Sequence, residues 1–238
     1  MAAHASTANT DFYLFPPHDL PVTLSILFQT ASVCVVDKPS GMAVHRGYDN
    51  DGPFVLQTLR DQLGRHVYPV HRLDRATSGV LVMALDAETA GQLGAAFTEG
   101  QVEKQYVAIV RGRPPAEGLI DHDVPKSEDG ERVRAVTAFR TLGTSGRFSL
   151  VECRPLTGRY HQIRRHMKHL SHPLVGDVNY GKGDINRLFR SEYGLSRLAL
   201  HASRLTAPSV ALDVAAPLPW DFAEALGKLG LLDLYPAP

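Results

Sequence analysis

Apolar and polar positions along the chain fall into short alternating runs and a few stretches of helical spacing. Ser32 to Lys38 is a compact apolar strand candidate that ends in the turn Pro39-Ser40-Gly41. Leu56, Leu59 and Leu63 recur at helical spacing, with Gly64 placed to close the helix. Val67 to Arg72 and Val80 to Leu85 predict strands on either side of a loop that carries Asp74. Asp86 can cap a helix running to about Phe97, and Gly100 can end it. Lys104 to Arg111 alternates as a strand, with Tyr106, Ala108 and Val110 on one face. Arg132 to Arg140 and Phe148 to Arg154 predict further strands, with hairpin loops at Lys126-Gly130 and Gly143-Gly146. His161 to Leu170 predicts a helix with the apolar stripe Ile163, Met167, Leu170, stopped by His172-Pro173. Leu198 to Leu205 reads as a late strand and Trp220 to Leu229 as a terminal helix.

Strands outnumber helices and do not alternate with them regularly. The pattern therefore predicts an α+β fold, a mostly antiparallel mixed sheet flanked by helices rather than a doubly wound one. Residues 1–21 are small, polar and proline-containing, and read as a loose arm. Residues 22–238 read as a single domain, with no repeat, low-complexity tract or linker inside it.

Composition narrows the function classes. At 44% hydrophobic and 21% charged, the chain has a core-forming composition and not a disordered one. The formal net charge of +0 names no polyanionic partner, but the local pattern does. Between Glu152 and Asp177 there is no acid, while Arg154, Arg159, Arg164, Arg165 and Lys168 all fall there. A nucleic-acid binder needs positive charge at its contact face rather than over the whole molecule. Cys34 and Cys153 are far apart in apolar runs and read as buried free thiols of a reducing, cytoplasmic compartment. No run approaches the ~18 apolar residues of a membrane span, and the start of the chain lacks the pattern of a signal peptide.

The stretch His71-Arg72-Leu73-Asp74-Arg75-Ala76-Thr77-Ser78-Gly79 places one carboxylate between two arginines and before a turn. Taken alone, such an acid reads as a surface ion pair with Arg72 or Arg75. In Thr157-Gly158-Arg159-Tyr160-His161-Gln162-Ile163-Arg164-Arg165-His166, a turn opens a helix, and Arg159 and His161 stand at its positive end, where phosphate binds well. Taken alone, this reads as a solvated basic face, and Tyr106 as ordinary strand packing.

Together these segments resemble the motifs of the RluA-type pseudouridine synthases. The nonapeptide is similar to that family's catalytic signature, and the Thr157 segment to its third motif. Lys38-Pro39-Ser40-Gly41-Met42-Ala43-Val44-His45 is similar to its first, read as a structural turn beside the site. Lys104-Gln105-Tyr106-Val107-Ala108, His172 to Asp177 and Leu200-His201-Ala202 also fit, in the right order. The resemblance implies isomerisation of a uridine in RNA to pseudouridine by base flipping, with no cofactor. It makes Asp74 the catalytic residue, places Tyr106 at the target base and pairs Arg164 with Asp74, which would favour the charged carboxylate and fix its direction. Arg72 would occupy the place of the flipped base, with His71 beside it. Ile163 would form an apolar wall, and Arg159, His161, Gln162, Arg165 and Lys168 would meet phosphates.

Within the family the likeness is greatest to the subgroup acting on uridine-65 in the acceptor arm of tRNA. No small N-terminal S4-type RNA-binding domain is expected. Ribosomal RNA is the alternative substrate, and a non-catalytic RNA-binding module the alternative class. Such a module would not need Asp74, Tyr106 and Arg164 together. His166, His169 and His172 recur every third residue, but zinc is not expected, because no acid lies among them and Pro173 breaks the helix. The sequence names no oligomeric state.

Overall fold

The computed structural model describes residues 23–46, 52–127 and 130–236, so the arm expected over 1–21 lies outside the described residues. The elements run β1 (Ser25–Gln29), β2 (Val33–Lys38), α1 (Val55–Leu63), β3 (Tyr68–Pro69), β4 (Ser78–Ala84), α2 (Ala87–Thr98), β5 (Glu103–Arg111), β6 (Glu117–Asp121), β7 (Val124–Pro125) and β8 (Arg132–Val133). They continue with β9 (Val136–Ser145), β10 (Phe148–Pro155), α3 (Gln162–His169), α4 (Gly183–Glu192), β11 (Leu200–Ala207), β12 (Leu212–Ala215) and α5 (Trp220–Leu229). One large sheet has the order β1-β2-β4-β11-β5-β10-β9-β6, with β12 beside β11 and β3 beside β4, and β7-β8 form a separate hairpin. The α+β class with a mostly antiparallel sheet is as the pattern predicts.

Chain-distant segments meet where β4 and β11 pair in parallel, the one parallel strand pair among the described residues. There Gly79 takes φ 110°, and a Cβ on it would run into the Ala202 carbonyl. Glycine is what lets β11 approach the strand that follows Asp74. The sheet is covered on both sides. Cys34, Val36, Leu81 and Met83 pack with Leu59 of α1, while their neighbours Val33, Val35, Val80 and Val82 pack with Leu93 of α2. Val107 and Ile109 of β5 meet α4 and α5, and Ala108 and Val110 meet Ile163 and Met167 of α3. Burial on both faces explains why β2 and β4 read as continuous apolar runs rather than alternating ones.

Helix ends follow local chemistry. Asp86 accepts the Thr89 amide at 2.7 Å and caps α2, and Gly64 closes α1 with φ 63°. Three expectations change, and one helix is added. Of Val67 to Arg72 only Tyr68–Pro69 pairs, since proline has no N–H to continue the ladder. Arg132 to Arg140 splits into β8 and β9, because the Val136 amide turns to the Thr157 hydroxyl. The Gly143-Gly146 loop tightens to Gly146-Arg147, with Ser145 facing Phe148. Gly183 and Asp184 open α4, a helix outside the expected set, whose Ile185 and Phe189 are buried one turn apart against β5 and β10.

A carboxylate and an arginine at the floor of a basic cleft

Asp74 lies in the turn before β4, closed by the Thr77 amide donating to the Asp74 carbonyl at 3.0 Å. The Lys38-Gly41 segment supports this turn from below. Lys38 is fully buried, and its ammonium donates to the carbonyls of Pro39, Met42 and Arg75 at 2.8, 2.7 and 3.1 Å. Ser40 Oγ donates to the Ala76 carbonyl at 2.8 Å, and the Gly41 amide to that of Arg75 at the same distance. Burial pushes Lys38 down to about 7, and the Asp74 charge acts against that shift. The segment expected to be framework is thus the seat of the Asp74 turn.

Facing it is the start of α3. Gln162 accepts from Thr157 Oγ1 at 2.7 Å and from the Arg159 amide at 3.0 Å. It donates to the Val136 carbonyl and Thr137 Oγ1, both at 2.9 Å. This buried amide ties α3 to β9 and is not available to a phosphate, a correction to its expected role. Arg164 brings Nη1 to 3.5 Å from Asp74 Oδ2. Its shorter bonds go to Asp177, Nε to Oδ2 at 2.8 Å and Nη2 to Oδ1 at 2.9 Å. Burial alone would raise Asp177, but the Arg164 fork and the amides of Tyr180 and Asn179 outweigh it and hold the carboxyl below its usual range.

His161 precedes α3 with φ 52°, a conformation rare for a residue with a side chain. Its Nε2 lies 3.7 Å from Asp74 Oδ2 and its Nδ1 3.0 Å from the Tyr180 hydroxyl. Burial pushes its imidazole down to about 4, with Asp74 acting the other way, so it is neutral near pH 7 and turned toward the carboxylate rather than outward to a phosphate.

Asp74, His161, Gln162 and Arg164 line a cleft of about 820 Å³, together with Tyr106, Ile163, His71, Arg72 and Arg159. Burial, and then the Asp74 charge, push the Tyr106 phenol well above its usual value, so it keeps its proton. His71 has accepted the Val82 amide at 2.9 Å and stacks on Phe97, and burial pushes it down to about 3. It is a neutral group of the cleft wall. Arg72 is exposed at the cleft. Arg165 and Lys168 are not among the lining residues. One position on from Arg164, Arg165 is rotated away and covers the rings of Tyr160 and Tyr180 at 5.6 and 5.2 Å. Lys168, a turn further along, is exposed with its ammonium 5.8 Å from Tyr180.

Sequence reasoning passed over Asp177 and Tyr180, although the His172 to Asp177 stretch fitted a family pattern. It also passed over Phe97, Lys104, Lys126 and Leu156 in the cleft wall. Among the histidines weighed for zinc, His166 is bonded to Thr137 Oγ1 and the His122 carbonyl, and His172 to the Arg111 carbonyl. His169 stacks on His122. Among the described residues no group of three or more His, Cys, Asp or Glu is arranged to hold a metal, and no helix is long and apolar enough to cross a membrane.

The sequence profile described as RNA pseudouridylate synthase matches residues 32–169. The tRNA pseudouridine synthase C of Vibrio parahaemolyticus is 46% identical, with 78% of this chain and 85% of that protein covered. That of Pasteurella multocida is 45% identical over 77% and 85%. The solved structure of human RNA pseudouridylate synthase domain containing 4 superposes with TM-score 0.73 at 28% identity, covering 87% of this chain and 93% of its own. For human RNA pseudouridylate synthase domain containing 1 the values are 0.70, 27%, 83% and 84%.

Proposed function

The chain belongs to the RNA pseudouridylate synthase family, and on that footing we propose that it isomerises uridine-65 in the acceptor arm of tRNA, with Asp74 as the reacting carboxylate. The name carried by the curated relatives supports tRNA, and the sequence likeness to the uridine-65 subgroup supports the position. Residues 22–238 act as one catalytic unit, in keeping with a single large sheet whose β4 and β11 join the Asp74 turn to the C-terminal elements.

One observation carries the assignment of Asp74: it is the carboxylate that the cleft presents beside Tyr106, with a buried arginine directed at it. In the reaction the C1′–N1 bond breaks, the uracil turns, and C5 bonds to C1′. C5 gives up a proton and N1 gains one, so the step needs neither an oxidant nor an energy donor. Asp74 works at the sugar, by attack on C1′ or removal of the C2′ proton. Tyr106 keeps its proton in the free protein, so it meets the uracil as a hydrogen-bond donor or a stacking face. Flipping the uridine costs a few kcal/mol. Arg72 fills the vacated place, since its planar guanidinium can both stack and hydrogen-bond. Leu156, 60% exposed at the cleft, offers an apolar face to a neighbouring base. Ile163 is the apolar wall, and Arg159, with Lys126 nearby in the lining, meets phosphate.

The test is incubation of the purified protein with unmodified tRNA and ribosomal RNA transcripts, followed by pseudouridine mapping. One new pseudouridine at position 65 of tRNA is expected. A product confined to ribosomal RNA would overturn the substrate, and no product in either would overturn the reading of Asp74.

A further inference from the structure

Both groups that reach Asp74 from α3 are themselves held by one short segment. Asp177 and Tyr180 sit three residues apart in the turn between Gly176 and Gly181, ahead of α4. The turn is built on Asp177 itself, whose Oδ1 accepts the amides of Asn179 and Tyr180 at 2.9 and 3.0 Å and whose carbonyl accepts the Gly181 amide at 3.1 Å. Asn186 of α4 fastens it further, accepting the Gly176 amide at 2.9 Å and donating to the Asp177 carbonyl at 3.1 Å. From this frame Asp177 grips Arg164 in a fork, and the Tyr180 hydroxyl reaches His161 Nδ1. Arg164 and His161 then converge on the same atom, Asp74 Oδ2, at 3.5 and 3.7 Å.

The direction of the Tyr180 bond follows from the groups it joins. The Tyr180 hydroxyl engages Nδ1 and leaves Nε2, 3.7 Å from Asp74 Oδ2, as the nitrogen turned to the carboxylate. A carboxylate only accepts, so the arrangement that suits Asp74 is the one in which Tyr180 donates to Nδ1 and the neutral ring carries its proton on Nε2. Arg164, Arg165 and Lys168 surround the Tyr180 ring at 5.1 to 5.8 Å from its centroid, which fixes where that hydroxyl points.

We propose that Asp177 and Tyr180 are positioning residues for the uridine isomerisation: Asp177 through Arg164 and Tyr180 through His161 hold Asp74 by Oδ2 and leave Oδ1 to meet the sugar. The proposal rests on the reading of Asp74 as the reacting carboxylate. It gives the Asp177-Tyr180 turn a task that a loop serving only to bind RNA would not have.

The experiment measures single-turnover pseudouridine formation and RNA affinity, in parallel, for the full chain and for Tyr180→Phe, His161→Gln, their double variant and Asp177→Asn. Tyr180→Phe removes one oxygen and is expected to slow the chemical step about tenfold while RNA affinity stays within about twofold, and Asp177→Asn to slow it about a hundredfold, the scale of a misplaced reacting group. In the His161→Gln background Tyr180→Phe should cost nothing further, because the path it acts through is gone. A wild-type single-turnover rate in Tyr180→Phe, full additivity in the double variant, or losses confined to RNA affinity would each overturn the proposal. Asp74→Asn, run alongside, separates the two levels. Turnover retained in Asp74→Asn overturns the reading beneath, whereas a dead Asp74→Asn with an unaffected Tyr180→Phe overturns the positioning role alone.

Discussion

The floor and rim of the cleft use the same residue types in different physical settings. Arg164 on the floor and Lys38 beneath it are buried, and each is hydrogen-bonded on several sides by carbonyls or a carboxylate. At the rim, Arg72, Arg159 and Lys126 are exposed. Buried pairs in low dielectric hold geometry to fractions of an ångström, while exposed cations are mobile, screened by salt and suited to a polyanion that must come and go. Arg164 shows the division within one side chain. It binds the fully buried Asp177 tightly and stands off from the part-exposed Asp74, whose side chain is 23% exposed. The tight pair serves the loose one, since a carboxylate that must react is better aimed than locked.

Perturbing the floor should cost rate and stability, and perturbing the rim should cost salt-dependent affinity. The largest effect is expected for Arg164→Met. It takes the cation from both carboxylates and leaves Asp177 buried without its partner, at a cost of about 3 kcal/mol or more in denaturant unfolding. Turnover measured below the variant's melting temperature should fall at least about a hundredfold, with RNA affinity nearly kept. A variant that loses affinity but keeps its rate would move Arg164 from the floor to the rim.

Lys38→Met should destabilise by about 3 kcal/mol, because the carbonyls of Pro39 and Met42 lose the ammonium, that of Arg75 keeps only the Gly41 amide, and the apolar replacement offers no donor. An unfolding midpoint equal to wild type would show that the turn holds itself. At the rim, Arg159→Ala should weaken binding across RNA sequences by a few-fold and reduce the slope of log affinity against log salt by about one, with the single-turnover rate at saturating RNA unchanged.

The smallest effect concerns acid. Burial lowers His161 and His201 to about 4 and His71 to about 3, from an ordinary value of 6.5. As pH falls from 6.5 toward 4, the unfolded chain takes up protons at these positions that the folded one refuses, so stability present above 6.5 is lost. Asp37, raised by burial to about 6, works the other way between 3.8 and 6, but three histidines outweigh one carboxyl. The melting temperature should therefore drop between pH 7 and pH 5, and His71→Phe should flatten that drop. A flat profile in the wild type would mean that these imidazoles are not held neutral.

The sequence made the buried centre of the sheet readable and its margins less so. The strands β2, β4 and β5 and the helices α1, α2, α3 and α5 have strong periodicity or an obvious cap or stop, such as Asp86 and Gly64. The strands β1, β6 and β12 are short and largely uncovered, so they leave no alternation to read. In α4 two buried residues, Ile185 and Phe189, are set among charges and preceded by glycines that look like a loop. At the site, the Asp74 turn and Arg164 were visible as motifs. The direction of a side chain was not, because it is decided by tertiary contacts. Gln162 turns inward to β9, His71 spends Nε2 on Val82, and Arg165 turns onto Tyr160 and Tyr180. Asp177 escaped for the same reason, since nothing in one dimension shows that it, and not Asp74, would take the shorter bonds of Arg164.

The most direct measurement of the central claim is pseudouridine mapping of tRNA from cells whose only copy of this protein carries Asp74→Asn, beside cells with the wild-type copy and cells with none. The expected result is one uridine in the acceptor arm, position 65, that is pseudouridine only in the wild-type cells, with the Asp74→Asn protein present at normal abundance. Full modification at that position in the Asp74→Asn cells would contradict the claim, because the carboxylate that Arg164 and His161 converge on would then not be the one that reacts.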